Sequence, residues 1–148
     1  MIYIVCVGNL KEKYLSDACN EYLKRISRFH KVEIIELKES TLTPYSVALK
    51  EEAKEIIKNC KGYVVKMAID GKQLSSEQLS EKIQQIQLSG NSTITFVIGS
   101  SHGIDQSVPS SFDLSISKMT FPHQLTRVIL LEQIYRALSI INHTPYHK

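Results

Sequence analysis

No two cysteines in this sequence stand in a CxxC spacing, and the three present, Cys6, Cys19 and Cys60, are odd in number and far apart. That pattern excludes a disulfide framework and a thiolate zinc site. Cys6 and Cys19 fall on apolar patterns and read as buried thiols. His143 and His147 have the i, i+4 spacing of a helical metal pair, but Pro145 lies between them, so no metal site is expected. No segment approaches the ~20 apolar residues of a membrane span. The opening MIYIVCVGNLKEKY has no basic lead-in and no cleavage site, and its apolar run is too short for a secretion signal. A cytoplasmic protein with no membrane partner is expected. Charge of one sign is scarce too: 18 Lys and Arg against 15 Asp and Glu leave +3. This permits nucleic-acid binding without the signature of a basic arm. Low-complexity runs and internal repeats are missing. So are the GK[ST] ending of a Walker A loop and the dinucleotide GxGxxG, which disfavours an NTPase or a classical dehydrogenase.

What is present is an ordinary globular composition, 43% hydrophobic and 22% charged over 148 residues. One domain spanning 1–148 is expected, long enough to bury roughly 70% of its unfolded surface. Four short apolar runs, at 2–7, 32–37, 63–69 and 93–98, read as buried strands, all but 32–37 near-continuous, and FDLSIS at 112–117 reads as a weaker fifth. VEIIEL carries two glutamates and suits a sheet edge. One-faced helical stripes at 11–28, 45–60 and 76–88 and a final helix at 122–141 alternate with the strands, and Ser75 with Gln78 fits a capping box. The alternation predicts an α/β fold, a parallel sheet flanked by helices. In such sheets ligands bind beyond the carboxyl ends of the strands. Three of those ends contain glycine: Gly8-Asn9, Ile69-Asp70-Gly71 and Gly99-Ser100-Ser101-His102-Gly103. The fourth is the turn at Ser117-Lys118-Met119.

FVIGSSHG is the best local signal. It reads either as a strand leading to a ligand loop or as a strand-to-helix turn needing φ > 0. Asp70-Gly71 reads as a tight-turn dipeptide in a plain loop. The helix at 122–141 is apolar around most of its circumference, yet carries Arg127, Glu132 and Arg136. A helix of this kind must be covered on both sides. A second subunit in a C₂ dimer is the expected cover, with the three charges partly buried and paired. The ending TPYHK, with Pro145, Tyr146 and His147, reads as a segment built to dock.

The block LSISKMTFPHQLTRVILLEQIYRALSIINHTPYHK, together with FVIGSSHG, MAIDGKQLSSE and the opening IYIVCVGNLKEKYLSDACNEYLKR, resembles the RlmH family over the whole chain. These are small SPOUT-class enzymes that methylate N3 of a pseudouridine in bacterial 23S ribosomal RNA. The resemblance implies an α/β fold with a C-terminal trefoil knot over approximately 93–148, although knots are essentially absent from most folds. It also implies S-adenosyl-L-methionine as cofactor, a homodimer, and the assembled ribosome as substrate. Matched motif to motif, the cofactor contacts fall on Met67, Gly99 and the run Ile116, Ser117, Lys118, Met119, Thr120 and Phe121. Where the family commonly has Gly-Gly, this chain has Gly99-Ser100, and the segment 38–46 looks short beside many relatives.

Methylating a ring imide requires the loss of its proton, through a base or through cations that favour the deprotonated ring. The candidates are His123, Arg136, Tyr146 and His147, with His147 and Arg136 favoured, reaching the target across the dimer interface. Phosphate contacts are expected from Lys11, Lys13, Arg25, Arg28 and Lys31, with Lys72 and Lys118 nearer the site. A flavodoxin-like nucleotide-binding domain and a catalytically silent ribosome-binding factor are the alternatives.

Overall fold

The computed structural model describes residues 1–148. Its elements follow the predicted alternation: β1 (Ile2–Val7), α1 (Lys13–Ile26), β2 (Val32–Leu37), α2 (Tyr45–Asn59), β3 (Tyr63–Gln73), α3 (Ser76–Leu88), β4 (Ile94–Ile98), β5 (Phe112–Ser115) and α4 (His123–Ile141). The strands form one sheet in the order β2-β1-β4-β3-β5, and every pairing is parallel. The glutamate-bearing β2 is an edge, as its sequence suggests; Glu33 and Glu36 are exposed.

The near-continuous apolar runs of β1 and β4 reflect cover on both faces. Ile2, Ile4 and Cys6 of β1 join Ile94, Phe96 and Ile98 of β4 in the larger core, beneath α1, α3 and α4. The alternate residues Val5, Val7 and Val97 face Ala53 and Ile56 of α2. Thr95, fully buried among them, is satisfied by giving and taking hydrogen bonds with the Lys61 backbone at 2.7 and 3.0 Å. α3 opens with the capping box: the Ser75 hydroxyl accepts from Gln78 N–H, and Gln78 Oε1 accepts from Ser75 N–H. That reciprocal pair satisfies donors which a helix start leaves free.

Two expectations need correction. Asp70-Gly71 is not a tight turn, because β3 runs on to Gln73. Met67 and Lys72 both register with Leu114, so 68–71 form an irregularity in the strand. Gly71 is required there, since a Cβ would come within 2.8 Å of the Asp113 backbone. FVIGSSHG leads into no helix either: the segment between β4 and β5 is loop, pinned by a bridge between Ser100 and Gly103. The helix α4 packs between α1 and α3 and onto the sheet, burying Leu130, Leu131, Ile134, Ala137 and Leu138, while Leu125 stays exposed and Val128, Ile129 and Ile140 are half-buried. Its own chain thus covers much, but not all, of the apolar circumference. No helix is long and apolar enough to cross a membrane.

Candidate functional site

The tips of β3, β4 and β5 and the start of α4 enclose a cavity of about 540 Å³ at the carboxyl edge of the sheet. Met67 at the β3 irregularity and Gly99 at the end of β4 line it, as do Ile116, Ser117, Met119, Thr120 and Phe121 in the loop after β5. His123, the first residue of α4, closes one side. Lys118 belongs to the same turn but is not part of the wall. Seven of the eight residues matched by resemblance to cofactor contacts thus meet in one cavity.

Local chemistry shapes the two loops. A Cβ on Gly99 would collide with the carbonyl of Gly103 and come within 2.6 Å of Ile104 Cγ1, so only glycine lets the loop fold back this tightly. Gly103 N–H then donates to Ser100 O at 2.9 Å. In the second loop the Ser115 hydroxyl donates to Ser117 O, and Ser117 Oγ accepts from Met119 N–H, both at 3.0 Å. Such serine turns fix a backbone that no helix or ladder supports.

Arg127 holds the start of α4 against this edge. It is 2% exposed, donating from Nη1 to Glu36 Oε2 at 2.6 Å and from Nη2 to the Gly8 carbonyl at 3.0 Å. Its partner lies in its own chain, which ties α4 to the tips of β1 and β2. The two thiols expected to be buried are so, and burial pushes Cys6 up to about 12.

The other charges of α4 form a separate cluster. Arg136 donates to Glu132 Oε1 from Nε at 3.1 Å and from Nη2 at 2.6 Å. Tyr146 donates its phenol proton to the same oxygen at 3.0 Å, and its ring lies 4.8 Å from the Arg136 guanidinium carbon. Burial and the bond to Glu132 push the Tyr146 phenol up to about 12. The ring also packs on Tyr135, with centroids 4.5 Å apart, so the TPYHK tail is docked on α4. His147 bridges Arg136 and α3: Nδ1 lies 3.1 Å from Arg136 Nη1 and Nε2 lies 2.7 Å from Glu77 Oε1. A guanidinium only donates, so Nδ1 must accept. The ring proton therefore sits on Nε2 and is donated to Glu77, whose carboxyl is held below its usual range chiefly by this bond.

Within one chain the cluster and the cavity stay apart. Arg136 follows His123 by 13 positions on α4, about 20 Å at ~1.5 Å per residue. None of Arg136, Tyr146 and His147 lines the cavity.

Glu52 took part in no motif read from the sequence, and Glu77 entered only as the last residue of MAIDGKQLSSE, with no role assigned. Glu52 had a legible signal, since it falls on the same stripe as Leu49, Ala53 and Ile56, where a carboxylate needs a reason. Glu77 had none, because its partner is 70 residues away. Among the expected phosphate contacts, Lys13 is paired with Asp17 and Arg25 with Glu21, whereas Lys11, Arg28, Lys31, Lys72 and Lys118 make no ion pair.

A parallel α/β sheet with a cavity roofed by loops at its strand tips defines a ligand-binding protein of the doubly covered α/β class. Comparison with known proteins narrows that class. The chain belongs to the SPOUT methyltransferase family: residues 1–147 match the family model described as "Predicted SPOUT methyltransferase". It is 51% identical to the ribosomal RNA large subunit methyltransferase H of Bifidobacterium animalis subsp. lactis, and 48% identical to that of Ruminiclostridium cellulolyticum, each over 99% of both chains. A Methanococcus maripaludis protein bearing the same name in provisional form is 52% identical, also over 99% of both. The likeness seen in the motifs of the sequence extends along the chain as a whole.

Proposed function

We propose that this protein transfers a methyl group from S-adenosyl-L-methionine to N3 of a pseudouridine in 23S ribosomal RNA, acting on the ribosome in the cytoplasm as a homodimer. The observation that carries the reading is the strand-tip cavity. Its volume lies in the range of small-molecule sites. Met67, Ile116 and Phe121 offer apolar surface to an adenine ring, and the backbone of the two tight loops offers polar groups at close range. Met67, Gly99, Ile116, Ser117, Met119, Thr120 and Phe121 would hold the donor, which when bound supplies an electrophilic methyl group on a sulfonium sulfur. Lys118, outside the wall, is assigned to phosphate contacts with Lys72, Lys11, Arg28 and Lys31. The family likeness supports threading the chain over approximately 93–148 as a trefoil knot.

Displacement at a sulfonium is in line, so the protein's work is largely to position two reactants. The remaining task is the imide proton. Arg136 supplies the positive charge that favours the deprotonated ring, and its two hydrogen bonds to Glu132 keep the guanidinium in one orientation. His147 holds Arg136 from the other side. Its one free lone pair is committed to that bond, so it can take the imide proton only after releasing Arg136. Tyr146 stays neutral and orients Glu132. His123, already in the cavity wall, is the other group able to accept the proton.

The distance of about 20 Å between His123 and Arg136 along one helix supports the dimer. A two-fold mate can bring the tail cluster of one chain to the cavity of the other, which one chain cannot do alone. Mass spectrometry of 23S ribosomal RNA from a strain lacking this protein tests the whole reading. Loss of the N3-methylated pseudouridine, restored by the wild-type chain, is the expected result. Persistence of the modification, or a purified protein with no affinity for the donor, would overturn it.

A further inference from the structure

One buried carboxylate has no part in the reading above. Glu52 lies on the inner face of α2, 5% exposed. Its Oε1 accepts from the Ser40 backbone N–H at 3.1 Å, and its Oε2 accepts from the Ser100 hydroxyl at 3.0 Å. Ser100 is itself 6% exposed, follows Gly99 directly and lines the cavity. No lysine, arginine or histidine pairs with Glu52. Two neutral donors therefore carry the solvation of a buried charge, an arrangement that costs free energy relative to a leucine on the same helical stripe. What it gains is a junction, since this one carboxylate of α2 binds two loops that follow different strands, β2 and β4. One is the segment 38–46. The other is the tip loop 99–103.

We infer that Glu52 is a positioning residue for the donor site: through the Ser100 hydroxyl it fixes loop 99–103 in the conformation that walls the cavity. The loop needs such an anchor. It is not continued by a helix, and its internal hold is the Ser100–Gly103 bridge. Ser100 supplies the side-chain oxygen, so replacing a glycine at this position exchanges backbone freedom for a bond to a charged acceptor, one of the stronger kinds. The second bond, from Ser40, makes the order of loop 99–103 depend on the segment 38–46. Tyr45, within that segment and at the start of α2, adds to the link by stacking on His102 of the tip loop with centroids 4.5 Å apart.

The inference rests on reading the cavity as a methyl-donor site, and the test separates the two. Ser100→Ala, Glu52→Leu and the double variant are compared with wild type by calorimetry with S-adenosylmethionine, by kinetics on ribosomes, and by amide hydrogen exchange of the free protein. Each single variant should raise the donor Kd and KM about tenfold, the size of one hydrogen bond to a charged group. The double variant should do no worse than the worse single, because both act through one contact. The kcat at saturating donor and the KM for ribosomes should stay within about twofold, and amides of 99–104 should exchange faster while those of β4 do not. Unchanged donor affinity in Ser100→Ala, or fully additive effects, would overturn the inference, as would unchanged exchange in the loop. If Glu52→Leu fails to fold, Ser100→Ala decides alone, since it removes a single oxygen. A wild-type protein that ignores the donor refutes the cavity reading, while the exchange measurement still decides whether Glu52 anchors the loop.

Discussion

Replacing Gly99 by alanine is the sharpest probe of the cavity. The added Cβ would stand 2.6 Å from Ile104 Cγ1 and 2.8 Å from the Gly103 carbonyl carbon, and closer still to that carbonyl's oxygen. Carbon atoms pack best at about 3.5–4.0 Å, so residues 103 and 104 must retreat by about 1 Å. Overpacking of this kind costs about 1–3 kcal/mol, and for a chain of this size each kcal/mol lowers Tm by about 2–4 °C. A displacement of that size in a wall that positions a reactant can cost up to ~100-fold in rate, and a comparable weakening of donor binding is expected. Gly90→Ala provides the control. Gly90 lies just after α3 with φ +93 and nothing within 4 Å, so a Cβ there meets backbone strain alone, about 1–2 kcal/mol. The two variants should lose similar stability in a thermal melt, yet only Gly99→Ala should lose donor affinity by calorimetry. If Gly99→Ala binds donor as tightly as Gly90→Ala, the tip loops do not form the donor site.

Arg136→Ala should lower kcat about 10²–10³-fold, the usual loss of one group stabilising a developing anion, with donor Kd unchanged; an equal loss in donor affinity would place Arg136 elsewhere. His147→Ala should cost less and leave the shape of the pH–rate profile intact if the ring holds Arg136, whereas loss of the profile's acid limb would make the ring the proton acceptor. Mixing Arg136→Ala chains with Gly99→Ala chains should restore activity above either parent, because a mixed dimer contains one site with both groups intact; no recovery would argue against a shared site. The phenol of Tyr146 is pushed up to about 12 from its usual value near 10. The folded state therefore holds that proton where the unfolded chain has lost it, so stability should fall as pH rises from about 10 through about 12. Tyr146→Phe should flatten that fall in alkaline denaturation curves.

Strand positions, helix positions and the edge location of β2 were legible because period and composition report burial directly. Ile2, Ile4 and Cys6 alternate with Val5 and Val7, and both sets are apolar because both faces are covered. The extension of β3 through Asp70-Gly71 was not legible. Asp-Gly is a turn signal in isolation, and only the neighbouring Asp113 backbone makes the glycine a matter of close approach. The cover of α4 was legible only in part for a related reason: an apolar circumference states that cover exists, not how much of it the chain's own α1, α3 and sheet supply. The site divides the same way. The tip loops could be found from topology, since glycine and serine turns at strand ends follow from general rules. The partners of the charges could not, because Arg127–Glu36, His147–Glu77 and Ser100–Glu52 span 91, 70 and 48 positions.

The charges of α4 then separate by physical role. Arg127 is sealed from water and bound to a strand-tip carbonyl and a carboxylate, so its removal would leave Glu36 and Gly8 without their donor and loosen the helix start. That is a structural duty, and nothing about it requires the charge to be reachable. Arg136 differs in that its side chain is 25% exposed while its orientation is fixed from two directions, by Glu132 and by His147. Holding a long, flexible cation still at the surface costs side-chain entropy that a solvated charge would keep. A surface pair alone contributes little stability, typically below about 1 kcal/mol. Orientation with part of the side chain left exposed is what a group awaiting an anionic ligand needs, and it is why Arg136, rather than Arg127, is the residue assigned to the reacting ring.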